Sequence, residues 1–166
     1  MAVAENNKLK NVNMNTKIEV KELPKMNLAF VSSIGPQNLE IAYSKLVKWA
    51  TSQGLMNNQT KMLTIYHDSF KDTEANKVRM SASILINQPV ADLGEIGLTS
   101  IQKGKFIVGN YEIGLNDFEK SWTALFLWMN ENGFKKRDEK PFEMYHNNFN
   151  EHPERKSVVE FFIPII

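Results

Sequence analysis

Two stretches of the chain have apolar residues at the spacing of an amphipathic helix. Residues three and four positions apart lie on one side of a helix, so each stretch predicts a helix with one buried stripe. Asn38 is the expected N-cap of the first helix, and Asn116 or Asp117 that of the second. Gly54 and Gly133 should end the helices in a left-handed conformation. The stripes are Leu39, Ala42, Tyr43, Leu46 and Ala50, then Phe118, Trp122, Leu125 and Met129.

Alternation of apolar and polar residues predicts strands on both sides of each helix. A first strand that is interrupted by Pro24 precedes the first helix, and one interrupted near Gly104 precedes the second. Two closing strands follow each helix. The predicted strands are residues 17–23, 26–33, 62–68, 78–86, 96–111, 142–147 and 158–165.

The two halves of the chain repeat one another at a constant spacing of 79 residues. The segment from Ile34, IGPQNLEIAYSKLVKWATSQGL, recurs from Ile113 as IGLNDFEKSWTALFLWMNENGF. Self-similarity at one spacing is typical of a duplicated unit. We therefore expect an α+β fold of two β-α-β-β units, residues 17–87 and 96–166, with a mostly antiparallel sheet of about eight strands and two main helices on one face.

The composition mainly excludes some classes of partner and of chemistry. The length of 166 residues and a hydrophobic fraction of 42% suit one domain, preceded by a polar tail over residues 1–16. Twenty basic and 19 acidic residues leave a formal charge of +1, which gives no electrostatic reason to expect nucleic acid or an anionic membrane as a partner. The chain has no cysteine, so disulfides and thiolate chemistry are excluded. Without a membrane span or signal peptide, a cytoplasmic location is expected.

The last predicted strand carries a carboxylate between apolar residues. Alternation places Glu160 on the same face as Val158 and Phe162, while the other face should pack on the helices. One interpretation is that Glu160 is solvated or paired with a basic side chain. The functional alternative is that it lines a cavity between the halves, where a cationic ligand would compensate a poorly solvated carboxylate.

Aromatic and acidic residues near Glu160 in this scheme complete the candidate site. Aromatic walls would add contact area and cation–π attraction of about 0.5 to 2 kcal/mol each. At helical spacing such residues also suit an ordinary core. The histidines have no partners at metal-ligand spacing, and no phosphate loop, nucleophile elbow or dinucleotide fingerprint is present, so no metal or cofactor is expected. The candidate ligand-binding residues are Glu160, Glu143, Tyr145, Trp122, Phe162, Tyr66 and Tyr43.

Several segments in this order resemble the GyrI-like effector-binding domain, which is also the drug-sensing part of AraC-type and MerR-type transcription regulators. They are KELPKMNLAFVSSIGP, IYHDSF and VRMSASILI in the first half, and GKFIVGNYEIG, FEMYHNNF and VVEFFIPI in the second. The resemblance implies a ligand cleft between two units and a glutamate in the closing strand that engages cationic aromatic compounds. That glutamate maps onto Glu160, and the Glu143-x-Tyr145 pair matches the family's preceding strand.

Three functions follow from the resemblance. The first is a stand-alone protein that binds amphipathic cationic aromatic molecules, as an accessory in transcription or multidrug response. Since residues 1–16 are too short for a helix-turn-helix domain, we expect no direct DNA binding. Any effect on regulation would need a partner chain or would work by sequestering the ligand. The second is a hydrolase of electrophilic compounds with Glu160 as general base. The third is a gyrase-modulating interaction protein, with the chain a monomer or weak dimer in each case.

Overall fold

The computed structural model describes residues 17–166, and the predicted tail over residues 1–16 lies outside the described residues. Short 3-10 turns occupy residues 75–77, 115–117 and 149–151. None of the helices in the described part is long and apolar enough to cross a membrane. The elements are β1 (Lys17–Leu23), β2 (Met26–Ile34), α1 (Pro36–Ser52), β3 (Met62–Tyr66), β4 (Arg79–Ile86), β5 (Gly97–Ile101), β6 (Gly104–Ile113), α2 (Phe118–Glu131), β7 (Phe142–Tyr145) and β8 (Ser157–Ile165).

All eight strands form one antiparallel sheet in the order β1-β6-β8-β7-β3-β4-β2-β5. The predicted α+β class, with two helices and a sheet of about eight strands, is confirmed. Strands β3 and β7, one from each half, pair at the centre. Side chains from both halves therefore lie side by side at the centre of the sheet.

The first strand of each half joins the sheet of the other half. Strand β1 pairs with β6, and β5 pairs with β2. Six strand spacings separate β1 from β2 in the sheet order, which would be about 29 Å in a flat sheet. Yet the link from Leu23 to Met26 can span only about 10 Å. The sheet must therefore curl until its two edges approach each other. The sequence predicted a strand interrupted at Pro24, but it did not indicate that the two parts lie near opposite edges of the sheet.

Three hydrophobic clusters cover the two faces of the curled sheet: one under each helix, and a third on the opposite face. Helix α1 buries Ala42, Leu46 and Ala50, and α2 buries Trp122, Leu125 and Met129. The predicted helix-packed face of β8 is confirmed, because Val159, Phe161, Ile163 and Ile165 share one cluster with α2. The face away from the helices encloses a third cluster, the inner core: Leu28, Leu63, Ile65, Ile101, Phe106, Val108, Phe142, Met144 and Phe162.

The predicted helix ends are right at the C-termini and wrong at the first N-terminus. Gly54 and Gly133 have φ of 71° and 75°, as left-handed helix stops require. Helix α1 begins at Pro36, whose fixed φ suits a first helical turn. Asn38 therefore lies inside the helix and donates its side-chain N–H to the Ile34 carbonyl at 2.8 Å. Asp117 does occupy the N-cap position of α2, without a side-chain capping bond.

Candidate ligand-binding site

The central strand pair brings equivalent positions of the two halves face to face. Thr64 of β3 lies directly opposite Glu143 of β7, and these residues are 79 positions apart. Both side chains are on the helix-facing side of the sheet, since their neighbours in each strand point into the inner core. Tyr43 of α1 and Trp122 of α2 are also 79 positions apart, and from the helix side Tyr43 contacts Thr64 and Trp122 contacts Glu143. The site thus lies on the seam between the halves.

Glu143 is buried, with 2% of its surface exposed, and three side chains donate hydrogen bonds to it. Tyr66 and Trp122 donate to Oε1, the latter at 3.0 Å, and Tyr145 donates to Oε2 at 2.7 Å. Burial raises the pKa of Glu143, and the three hydrogen bonds oppose that effect. Within residues 17–166 no basic side chain forms an ion pair with this carboxyl group.

A chain of hydroxyl groups extends from Glu143 towards α1. The Tyr145 hydroxyl is 2.5 Å from Thr64 Oγ1, which is 2.8 Å from the Tyr43 hydroxyl. Tyr43 then donates to the Leu63 carbonyl at 2.5 Å. Burial raises the pKa of each tyrosine in the chain, so these phenols remain neutral.

The hydrogen bonds of the site correspond to one another under the shift of 79 positions. The bond from Trp122 to Glu143 is equivalent to the contact of Tyr43 with Thr64. The bond from Tyr66 to Glu143 is likewise equivalent to that between Tyr145 and Thr64. The site is therefore a symmetric polar frame in which one half supplies a hydroxyl and the other a carboxyl group.

Aromatic rings surround this frame on the helix-facing side. Trp122 stacks on Phe161 at a centroid distance of 4.2 Å, and Tyr66 meets Trp122 edge-on at 5.9 Å. Phe70, from the loop after β3, packs edge-on against Tyr66 at 4.6 Å and is 39% exposed. Phe70 therefore occupies the solvent side of the aromatic cluster.

The structure brings together five of the seven predicted binding residues: Glu143, Tyr145, Trp122, Tyr66 and Tyr43. It places Glu160 and Phe162 on the opposite face of the sheet. In the pairing of β7 with β8, Glu160 lies opposite Met144, whereas Glu143 lies opposite Phe161. Because paired residues share a face, Glu160 cannot reach the aromatic cluster around Glu143.

Glu160 has an ordinary partner on its own face. Its Oε1 is 2.5 Å from His146 Nε2, and His146 Nδ1 is 3.0 Å from Lys61 Nζ. His67, the equivalent of His146, contacts Ser81 in the same way at 2.7 Å. Phe162 belongs to the inner core and is 4% exposed. Glu160 therefore lies on the face away from the helices, as alternation along β8 predicted, and its contact with His146 matches the interpretation that it pairs with a basic side chain. That Glu160 binds a ligand stays a prediction.

Sequence reasoning missed Thr64, Phe161 and Phe70 as parts of this site. The repeat contained the signal for Thr64, because a shift of 79 positions maps it onto Glu143. Phe161 was assigned only to the core, which it also serves. Nothing in the loop sequence indicated that Phe70 folds back onto Tyr66. Across residues 17–166, no group of three potential metal ligands is assembled.

Known structures with this fold include a protein–DNA complex and a protein bound to tetraphenylphosphonium. The EcmrR–DNA complex matches with a TM-score of 0.80 at 15% identity over 99% of this chain, which spans 62% of the EcmrR chain. SAV2435 bound to tetraphenylphosphonium matches with a TM-score of 0.64 at 11% identity, over 90% of this chain and 94% of that one. At these identities the likeness establishes the fold alone.

Sequence comparison gives the family. The chain is 28% identical over 118 residues to DNA gyrase inhibitor 2 of Dickeya dadantii (strain 3937), covering 68% of this chain and 73% of that protein. The model of the GyrI-like small molecule binding domain matches residues 16–166. The protein therefore belongs to the GyrI-like family of small-molecule binding domains.

Proposed function

We propose that this protein binds amphipathic, cationic aromatic molecules on the helix-facing side of the central strands, with Glu143 as the anchor for the positive charge. The observation that carries the proposal is a buried carboxyl group that has no basic partner within residues 17–166 and is bordered by aromatic rings. The family is one of small-molecule binding domains, and the related fold of SAV2435 has been determined with tetraphenylphosphonium.

The energetics favour a cation with a large apolar surface. A buried, ionised carboxylate is costly unless an opposite charge compensates it. Each aromatic face adds cation–π attraction of about 0.5 to 2 kcal/mol. Trp122 and Tyr66 border the carboxyl group directly, and Phe70 can contact the part of a ligand nearest to solvent.

Ligand entry must rearrange the site, because Glu143 is 2% exposed and Trp122 is equally buried. Phe70 is the most exposed ring of the cluster and belongs to a loop, so its rotation away from Tyr66 is the least costly way to open the site. Binding would then replace contacts between these rings with contacts to the ligand.

Calorimetric titration of tetraphenylphosphonium into three proteins tests the proposal. Glu143→Gln should weaken binding at least about tenfold, which corresponds to about 1.4 kcal/mol. Glu160→Gln is the matched control, since it makes the same chemical change on the opposite face, and its affinity should stay within about twofold of wild type. Equal affinity in all three proteins, or loss only in Glu160→Gln, would contradict the assignment of the anchor.

The biological output proposed for such a binder is accessory to a regulator or to gyrase. EcmrR was determined in complex with DNA, but this chain spans 62% of it. The Dickeya dadantii relative is a DNA gyrase inhibitor. A pull-down of gyrase with and without tetraphenylphosphonium would separate a gyrase partner from simple sequestration of the ligand.

A hydrolase is a second candidate, and one observation favours it. Burial raises the pKa of Glu143 towards the range in which a carboxylate works as a general base near neutral pH. The predicted base, Glu160, instead has its Oε1 bonded to His146. Turnover of an electrophilic ester or epoxide beyond one equivalent, abolished by Glu143→Gln, would favour hydrolysis over binding.

A further inference from the structure

The oxygen atoms between Glu143 and the backbone of β3 make four successive short contacts. From Glu143 Oε2 the distances are 2.7 Å to Tyr145, 2.5 Å to Thr64, 2.8 Å to Tyr43, and 2.5 Å to the Leu63 carbonyl. These are O–H···O distances. Each contact needs one proton between its two oxygens, because two lone pairs would otherwise face each other at hydrogen-bond distance.

The number of available protons depends on the state of Glu143. The hydroxyl groups of Tyr145, Thr64 and Tyr43 supply three protons, and the Leu63 carbonyl supplies none. With an ionised Glu143, three protons must serve four contacts, and one contact is left without a hydrogen. A protonated Glu143 supplies the fourth. The bond that Tyr145 donates to an ionised Glu143 then reverses, so that Oε2 donates to Tyr145 and every bond in the chain runs in one direction, from Oε2 to the Leu63 carbonyl.

The second carboxyl oxygen agrees with this count. Tyr66 and Trp122 both donate to Oε1, so Oε1 is an acceptor, as the carbonyl oxygen of a carboxylic acid should be. The proton then belongs on Oε2, where it completes the chain. All groups of the site are satisfied in this state without any counter-ion.

We propose that Glu143 carries a proton in the ligand-free protein and releases it to solvent when a cation binds, so that the site exchanges one proton for one cation. This inference rests on the proposed function and specifies how the same carboxyl group serves both states. The acid keeps the empty site neutral, and the carboxylate formed on binding pairs with the ligand.

Among residues 17–166, the surroundings of Glu143 contain no other group that could take over this role. Tyr66 faces it from β3, Trp122 from α2 and Tyr145 from its own strand, while Tyr43 of α1 is connected through Thr64. On β8 the paired residue is Phe161, which has no titratable group. Burial raises the pKa of all three tyrosines and of Glu143, in agreement with a site whose groups are all neutral.

The experiment is calorimetric titration of tetraphenylphosphonium, whose charge is permanent, in two buffers of different ionisation enthalpy. Below the pKa of Glu143, wild type should release close to one proton per ligand, and affinity should rise about tenfold per pH unit. Above that pKa both effects should vanish. Glu160→Gln should behave as wild type, whereas residual binding to Glu143→Gln should release no proton.

A second variant tests the proton count itself. Thr64→Val removes one hydroxyl and both contacts that it makes, so two protons then serve two contacts with Glu143 ionised. The variant should therefore lower the pKa of Glu143 and move the pH range of proton release downwards. An unchanged pH range would contradict the count.

The outcomes for the two proposals are distinguishable. Binding without proton release at any pH would overturn proton exchange and leave cation binding intact. Absence of binding would contradict the proposed function, and infrared spectra of the ligand-free protein would then decide the protonation state. A carbonyl stretch of a protonated carboxylic acid that disappears in Glu143→Gln supports the inference, and its absence from wild type at neutral pH overturns it.

Discussion

Replacing Glu143 by glutamine should stabilise the ligand-free protein at alkaline pH and change its stability little at acid pH. A glutamine amide can make the hydrogen bonds that a protonated glutamic acid makes at this position. Its oxygen can accept from Tyr66 and Trp122, and its NH2 group can donate to Tyr145. The variant therefore keeps the neutral state of the site at every pH.

The magnitude follows from the pKa difference between the folded and unfolded chain. Burial raises the pKa of Glu143 in the fold, whereas the unfolded chain has the ordinary value of about 4.3. Between the two values the native state binds more protons, so the free energy of unfolding of wild type falls as pH rises. Each unit of separation costs the wild type about 1.4 kcal/mol, fully developed above the folded pKa.

Urea unfolding followed by tryptophan fluorescence, at a series of pH values from about 4 to 9, measures the effect. The difference in unfolding free energy between Glu143→Gln and wild type should grow in favour of the variant as pH rises through this range. Glu160→Gln controls for the loss of a carboxylate as such, since Glu160 is bonded to His146 outside the site. Parallel pH profiles for wild type and Glu143→Gln would show that folding does not raise the pKa of Glu143.

Further substitutions test the packing of the core, the ends of the helices and the hydrogen bonding of the site. Phe161→Ala removes a fully buried ring that stacks on Trp122 at 4.2 Å, and urea unfolding should give a loss of about 3–5 kcal/mol, with a loss below about 1 kcal/mol counting against the stacked core. Gly133→Ala should cost about 1 kcal/mol in the same assay, because φ is +75° and no atom lies within 4 Å of the added Cβ; Gly54→Ala, at φ +71°, should match it. Trp122→Phe keeps an aromatic ring at this position but removes the indole N–H that is donated to Glu143. Because that bond lowers the pKa of Glu143, its loss should raise this pKa and move upwards the pH range in which tetraphenylphosphonium affinity changes. A downward shift would contradict the pKa assignment.

The elements of the fold were predictable because burial imposes a period on the sequence. The stripe through Leu46 and the repeat at 79 residues located both helices and the order of the strands along the chain, but not their order in the sheet. The exchange of β1 and β5 between the halves was not predictable, since it depends on pairings such as that of Leu23 with Gly104, about 80 residues apart. The inner core is a consequence of that exchange and was missed with it.

The candidate site was predictable in its residue types but not in its geometry. The sequence drew attention to Glu143 and Tyr145 on one strand face, and they do lie together with Tyr66. The family resemblance directed the main role to Glu160, which alternation along β8 places on the other face. Choosing between the two carboxyl groups required their contacts, because Glu143 accepts hydrogen bonds from aromatic side chains whereas Glu160 is bonded to His146. That the five assembled residues bind a ligand stays a prediction.

A crystal structure of the protein with tetraphenylphosphonium would show which face of the sheet binds the ligand. We expect the ligand to lie on the helix-facing side of β3 and β7, with its phosphonium centre nearest to Glu143, and Phe70 to have moved away from Tyr66. A ligand bound on the opposite face beside Glu160 and His146, or one that leaves the hydrogen bonds of Glu143 unchanged, would contradict this expectation.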